Sequence, residues 1–247
     1  MKERAVTMDA EAVRATLEDR KTQLRVPVKG DLEGTEGAAW LSRDGGISFA
    51  PCRDELCRGL MDQIGPEIRS PLGKPGDRLW VRETWQLLDP HQDGDLAVVG
   101  VDRFANGRRA PWVGVTNNRP IEWTTVYRAD GDLEHPEFGA ACWRSPILMP
   151  KWASRITLEV AEVRLQRLQQ ITEDDAIAEG ARHWPDIPDP HPYGIGARWS
   201  MSTPTSTRQC YGSARFAFAS AWNRRHGKRC PWDDNRPVWV YTFRRSP

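Results

Sequence analysis

Three places in the sequence bring together residue types that can do chemistry. Arg20-Lys21-Thr22-Gln23-Leu24-Arg25 sets a lysine, a hydroxyl, an amide and an arginine side by side, a group that can converge on one polar ligand. Arg82, Glu83 and Trp85 add a cation, a carboxylate and a stacking surface along one short run. Glu179 stands at the far end of a helix pattern that opens with acids, where a carboxylate opposes the helix dipole. Each has an ordinary counterpart: a basic helix end complementing the dipole, a structural Arg–Glu ion pair, a solvated surface glutamate.

These residues need elements to hold them. Asp9 to Asp19 reads as one amphipathic helix, with Ala10, Val13 and Leu17 on one face and Thr7 or Asp9 as N-cap. The Lys21 stretch leaves its end, and Val26-Pro27-Val28-Lys29-Gly30 breaks the pattern, because proline removes a donor and biases its predecessor away from α geometry. The turn Pro71 to Asp77 feeds a strand over Arg78 to Trp85, in which Leu79, Val81 and Glu83 alternate with Trp80, Arg82 and Thr84. Ile171 to Gly180 is a second helix, with Thr172 as N-cap, Asp175 completing a capping-box variant and Gly180 at C′.

The remaining expectations are coarser. A short strand falls near Ile47-Ser48-Phe49, a helix over Leu56 to Ile68, a strand over Leu96 to Val101 and a tight turn at Asn106-Gly107. Ile121 to Ala129 reads as a strand by its β-branched and aromatic content. Ser145-Pro146 and Met149-Pro150 favour an extended path anchored by Trp152, and Ala153 to Gln169 forms a long strand bent near Ala161. Residues 182–208, rich in Pro, Gly, Ser and Thr, read as a long insertion. Tyr211 to Arg225 is a third helix with Phe216, Ala219 and Trp222, or Phe218 and Trp222, turned inward. A turn at Trp232 to Asn235 precedes a last strand, Val238 to Arg244. Strands separated by helices leave an α/β reading open on pattern alone.

Composition narrows the classes. The 247 residues suffice for one large domain or two small ones. A 39% hydrophobic content with mean hydropathy −0.64 fits a soluble globular chain. No apolar run approaches a membrane span and no signal-peptide core follows Met1, so a cytoplasmic location is expected. A net charge of +1 argues against a broad nucleic-acid-binding surface but permits a local basic cleft. The cations are 29 Arg and 6 Lys, and Trp is abundant at 12. Arginine forks and indoles suit phosphates and bases, and equally suit an arginine-rich proteome. Cys52, Cys57, Cys142, Cys210 and Cys230 are dispersed, and Cys52-x4-Cys57 lacks a second clustered pair, so zinc is a minor reading. No glycine-rich phosphate loop occurs. Neither metal nor cofactor is expected.

The helix followed by Arg-Lys-Thr-Gln-x-Arg, the block Pro75 to Trp85, the block Trp143 to Leu158 and the run Val238 to Phe243 together resemble the ASCH-domain family in its long phage and prophage form. The resemblance implies an α+β, PUA-like fold: a small mixed β-barrel with flanking helices and long loop insertions. One domain over 1–247 is then expected, with irregular insertions around 30–70, 86–120 and 182–208. The pocket of such a fold is lined by the lysine loop and neighbouring strands.

Some small bacterial ASCH proteins remove the acetyl group from N4-acetylcytidine, using a lysine and a threonine of this loop and a glutamate of the helix after the central strands. Lys21 matches that lysine, and Glu179 matches the glutamate by its place in Thr-Glu-x-x-Ala-x-x-Glu. Leu24 occupies the threonine position and has neither nucleophile nor proton to offer. Val26 stands where the family usually has arginine, and Asp19 replaces a common glycine. A hydrolase would therefore need a desolvated Lys21 as base to water or Thr22, Glu179 as proton shuttle, and Arg25 or Arg82 at the oxyanion.

The preferred expectation is a binding module for RNA or a modified nucleoside, with Lys21, Arg25 and Arg82 on phosphate or carbonyl groups, Glu83 lining the pocket and Trp85 or Trp152 stacking on a base. The amidohydrolase, with Lys21, Glu179 and Thr22 as catalytic residues, is the alternative. A metal-independent ribonuclease using Lys21 and Glu179 is a further one.

Overall fold

The computed structural model describes residues 1–29, 39–41, 46–49, 68–92, 95–98, 115–116, 119–120, 124–131, 134–135, 139–140, 143–185 and 198–246. The chain divides into two compact units. The first comprises Met1–Val6, Ala15–Trp80 and Ile156–Pro247, the second Thr7–Arg14 and Val81–Arg155.

An α+β organisation is observed. The largest sheet has five strands: β1 (Glu3–Thr7), β2 (Gln23–Pro27), β3 (Arg78–Arg82), β4 (Thr157–Arg167) and β5 (Pro237–Arg245), in the order β1-β3-β4-β5-β2. The β3–β4, β4–β5 and β5–β2 pairings are antiparallel. Among the described residues the sheet stays open and no closed barrel forms.

Strand β5 lies between β4 and β2 and is buried on both faces, which its near-continuous apolar run permits. Val238, Val240, Trp239 and Tyr241 are all nearly inaccessible. Val238 and Val240 face a core built by Leu168, Ile171, Ala176, Phe218 and Trp222. The long strand β4 shifts register between Val160 and Glu162, a bulge at the expected bend.

Three α-helices occur among the described residues. The first, α1 (Ala10–Leu17), is shorter than the expected Asp9 to Asp19, and the Asp9 carboxylate caps it by accepting from the Ala12 N–H at 2.9 Å. Asp19 takes a left-handed φ of 55°, the conformation glycine supplies most cheaply. Its carboxylate is held by Arg245 at 3.0 Å. α2 (Glu173–Ala178) has the expected reciprocal capping box between Thr172 and Asp175. α3 (Ala214–His226) is capped by Ser213 and buries Phe218 and Trp222, whereas Phe216 points outward at 65% exposure, against the first of the two inward sets expected.

The second unit is built on the antiparallel pairing of Trp85–Gln92 with Thr124–Tyr127 and with Asp95–Val98. The strand expected over Arg78 to Trp85 thus ends at Arg82, and Trp85 opens a new one. Residues 143–153 contain two 3-10 turns, Pro146–Leu148 and Lys151–Ala153, where an extended path was expected. Proline at the first position supplies the helical φ that starts the first of them. The segments expected to be irregular carry short strands, including Ala39–Leu41 paired with Gly46–Phe49, and Arg182–His183 paired with Trp199–Ser200. The helix expected at Leu56 to Ile68 (up to its last residue) and the turn at Asn106-Gly107 lie outside the described residues, as do Cys52, Cys57 and Cys142. Among the described residues no helix is long and apolar enough to cross a membrane.

Candidate functional site

The Lys21 segment does not leave the helix end as a loop. α1 stops at Leu17, the N–H groups of Arg20 and Lys21 both close on the Ala15 carbonyl at 2.9 Å, and residues 23–27 enter the sheet as β2. The Thr22 N–H bonds the Ala178 carbonyl at 2.8 Å, and the Phe243 N–H bonds the Thr22 carbonyl at 2.9 Å. Thr22, half-buried, is thereby fixed between the end of α2 and β5.

The C-terminal end of α2 supplies the opposing charge. Gly180, with φ 109°, turns the chain, and a Cβ there would meet Ala15 Cβ at 3.4 Å and Lys21 Cβ at 3.8 Å. That close approach brings the Lys21 ammonium to Glu179: Nζ lies 2.8 Å from Oε2 and donates to the Glu179 carbonyl at 2.7 Å. The lysine side chain is 3% exposed and the glutamate 4%. Lys21 therefore satisfies a helix-end carbonyl and a carboxylate together, which answers the placement of an acid against the dipole.

Arg25 extends the cluster. Its guanidinium, 1% exposed, reaches Glu179 Oε1 at 3.2 Å and Asp175 Oδ2 at 3.0 Å, and donates to Gln23 Oε1 at 3.0 Å and Gln166 Oε1 at 3.3 Å. It also lies 5.8 Å from the Phe218 ring centroid. Burial acts to raise the Asp175 carboxyl, but the hydrogen bond from Gln23, the charge of Arg25, the Thr172 N–H and the charge of Arg164 outweigh it and hold Asp175 below its ordinary value. Arg25 Nε is buried and has no hydrogen-bond partner among the described residues. Lys21, Arg25, Glu179 and Asp175 form a polar cluster inside the first unit, which Arg164 continues through Asp175 at 3.2 Å and Glu162 at 3.3 Å.

The other expected site residues lie in the second unit. Arg82 is half-buried, and its carbonyl accepts from the Met8 N–H at 3.0 Å. Glu83 is 2% exposed on the same face as Leu79 and Val81, and its partner is Arg155: Nε–Oε1 2.9 Å and Nη2–Oε2 3.0 Å. Arg155 also grips Asp130 at 2.8 Å and lies 4.0 Å from the Tyr127 ring centroid. Burial lifts Glu83 above the usual carboxylate range against the hydrogen bond from Arg155; burial acts to lower Arg155, but its hydrogen bonds with Glu83 and Asp130 and their charges outweigh it and raise Arg155, holding it charged. Trp85 is 3% exposed, with Arg144 over its ring at 5.3 Å and Trp152 edge-on at 6.2 Å. A ring so covered has no free face for a base. Trp152 is 51% exposed.

Sequence reasoning passed over Gln23, Asp175 and Gln166 as companions of Arg25. The alternation of Gln23 and Arg25 along a strand was the available signal. It also passed over His226, which stacks on Trp222 at 4.4 Å between ring centroids. Burial, then Arg225, pull His226 below its ordinary value, and Glu179 opposes them. Among the described residues no group of three His, Cys, Asp or Glu side chains is placed to hold a metal ion. Cys210 and Cys230 are free, buried thiols.

No family model, curated protein or solved structure matches the chain.

Proposed function

We propose that the first unit is an ASCH-type, PUA-like domain that binds a modified nucleoside through a polar pocket built on the Lys21 segment. The observation that carries this reading is the Lys21–Glu179 contact. These residues, 158 positions apart, are the two that the family resemblance singles out, and they meet at 2.8 Å in a buried setting.

The balance of charge favours a neutral polar ligand. Lys21, Arg25 and Arg164 are matched by Glu179, Asp175 and Glu162, so donors and acceptors sit at fixed positions and a phosphate would add negative charge to a cluster already neutral. The Lys21 and Arg25 side chains, 3% and 1% exposed, are too enclosed to track a nucleic-acid backbone. A nucleobase edge or an N4-acyl carbonyl offers the acceptor that the buried Arg25 Nε lacks, and leaving such a donor unpaired costs about 1–3 kcal/mol.

Deacylation is the second reading, favoured by one observation: Lys21 Nζ and Glu179 Oε2 are within proton-transfer reach at 2.8 Å. In that reaction a water oxygen adds to the acyl carbon, the C–N4 bond breaks, and the water proton passes through the pair to the leaving amine. The other water proton leaves with the acid, so the products are acetate, a released proton and cytidine.

Calorimetry with N4-acetylcytidine and cytidine, paired with mass spectrometry of the incubated acetylated nucleoside, separates the two. Binding abolished by Lys21→Ala, with the acetyl group intact, is the expected result. Turnover by the wild type but not by Lys21→Ala would establish the hydrolase instead. Neither binding nor turnover would remove the pocket reading.

A further inference from the structure

The region around α3 is basic. Residues 213–232 contain Arg215, Arg224, Arg225, Lys228 and Arg229 and not one Asp or Glu, in a protein whose net charge is only +1. Arg224, Arg225, Lys228 and Arg229 are exposed. Complementing the helix dipole accounts for cations in the last turn of α3, but Lys228 and Arg229 lie beyond it.

The backbone presents these cations rigidly. The Gly227 N–H bonds the Asn223 carbonyl at 2.8 Å, and the N–H groups of Arg229 and Cys230 both close on the His226 carbonyl at 2.9 Å. A Cβ at Gly227 would lie 2.4 Å from the Asn223 carbonyl oxygen, so the turn is tight. The buried Trp222 indole pins its far side by donating to the Cys230 carbonyl at 2.7 Å. Nearby carboxylates are otherwise engaged: Asp234 pairs with Arg236 at 3.3 Å, and Glu173 caps the first turn of α3, where its carboxylate accepts from the Ala214 and Arg215 N–H groups. Asp233 is the exposed acid that borders the patch.

An aromatic ring accompanies the charge. Phe216 is 65% exposed, and the helical period sets it on the same side of α3 as Asn223, with Arg224 about 12 Å further along the axis. A single-stranded nucleic acid is held by this combination, bases stacking on an aromatic face while cations follow the backbone.

We infer that the exposed side of α3 and the turn after it hold single-stranded RNA, with Phe216 of the first turn stacking on a base and Arg224, Lys228 and Arg229 at the far end contacting phosphates. The inference rests on the nucleoside reading above and extends it: the nucleoside is presented within a strand, and the phosphates are met by α3 instead of by Lys21 and Arg25.

The test is fluorescence anisotropy of a labelled, unmodified single-stranded RNA of about 20 nucleotides across a sodium chloride series. The full-length wild type, Arg224→Ala/Lys228→Ala/Arg229→Ala, Phe216→Ala and a distant control, Arg244→Ala, are compared. Each phosphate contact contributes about 0.7 to the log–log salt slope, so the triple variant is expected to lose about 2 from it and to bind at least tenfold more weakly at low salt. Phe216→Ala is expected to bind about fivefold or more weakly with an unchanged slope, and Arg244→Ala to match the wild type. Circular dichroism melts check that these exposed substitutions leave the fold intact. A wild type without RNA affinity, or a triple variant equal to it in affinity and slope, overturns the inference. So does binding to phosphatidylserine vesicles without binding to RNA. Calorimetry with N4-acetylcytidine on the same proteins separates the two readings. RNA binding without nucleoside binding would discard the pocket and leave the strand-binding surface standing. Nucleoside binding without RNA binding would do the reverse.

Discussion

Leu24 and Arg25, neighbours on β2, face opposite sides of the sheet: Leu24 sits across from Tyr241 and Arg25 across from Val240. Val240 belongs to the core that includes Phe218 on α3, and Arg25 reaches Glu179 from that side. Leu24 shares the other face with Tyr241 and is itself buried. The ASCH pattern that the sequence resembles has polar residues at 24 and 26, whereas this chain has them at 23 and 25. Because side chains alternate along a strand, a one-residue offset exchanges the faces.

The first prediction follows from that alternation. Leu24→Thr restores the hydroxyl the family pattern calls for, but on the face away from the Lys21–Glu179 pair. It is expected to give no deacetylation of N4-acetylcytidine by mass spectrometry. It is also expected to lower stability by about 2 kcal/mol in urea unfolding, since it shortens a buried side chain and buries a hydroxyl. Turnover appearing in Leu24→Thr would show that residue 24 reaches the site.

The Lys21–Glu179 pair should behave as a buried ion pair. Removing one partner leaves a charge uncompensated, so Lys21→Met is expected to cost about 3–5 kcal/mol by urea denaturation. The double variant Lys21→Met/Glu179→Gln should cost less than the sum of the two single losses, and a double-mutant cycle is expected to give a coupling of at least about 1 kcal/mol. Additive losses would mean that the contact contributes nothing of its own.

Arg155 should organise the second unit. It makes a two-point contact with Glu83, grips Asp130 and stacks on Tyr127. Arg155→Met is expected to destabilise by about 3 kcal/mol, and Arg155→Lys to recover less than half, because an ammonium has neither the fork nor the flat face. Adding Glu83→Gln to Arg155→Met should restore part of the loss. Equal stability of the Lys variant and the wild type would contradict the two-point contact.

Local signals made much of this legible in the sequence. The capping box of Thr172 and Asp175, the alternation of Leu79, Val81 and Glu83 and the bend of β4 near Ala161 are all written in neighbouring residues. What was hidden depends on distant partners. Gln23–Pro27 becomes a strand because β5, far along the chain, offers it a ladder, and short segments of this kind yield to tertiary pairing. Trp85 has the composition of a stacking residue, yet Arg144 and Trp152 take its ring. Phe216 points outward because Phe218 and Trp222, one turn apart, together form the stronger apolar face of α3. Glu179 stood out by its place at a helix end and by the motif it shares with the ASCH pattern, which also named Lys21, 158 positions away in the chain; that Arg25 would join them was not legible.

Stability should depend on pH through His226. Burial first, and Arg225 second, depress its proton affinity in the folded state below the ordinary 6.5. The unfolded chain therefore binds a proton more readily, and stability rises with pH wherever the unfolded state holds more protons. Full stability is thus expected above about pH 6.5, with a progressive loss as pH falls below it towards the folded value. Thermal melts between about pH 5 and 8 measure this. His226→Gln, which keeps a polar side chain without the titration, should flatten the dependence over that range. A slope unchanged in His226→Gln would assign the effect to another group. Because Glu179 favours the protonated imidazole while burial and Arg225 oppose it, removing the carboxylate by Glu179→Gln should lower the folded value further and widen the window of loss. The two variants therefore move the pH profile in opposite directions, which neither a general weakening of the fold nor a loss of packing around Trp222 would produce.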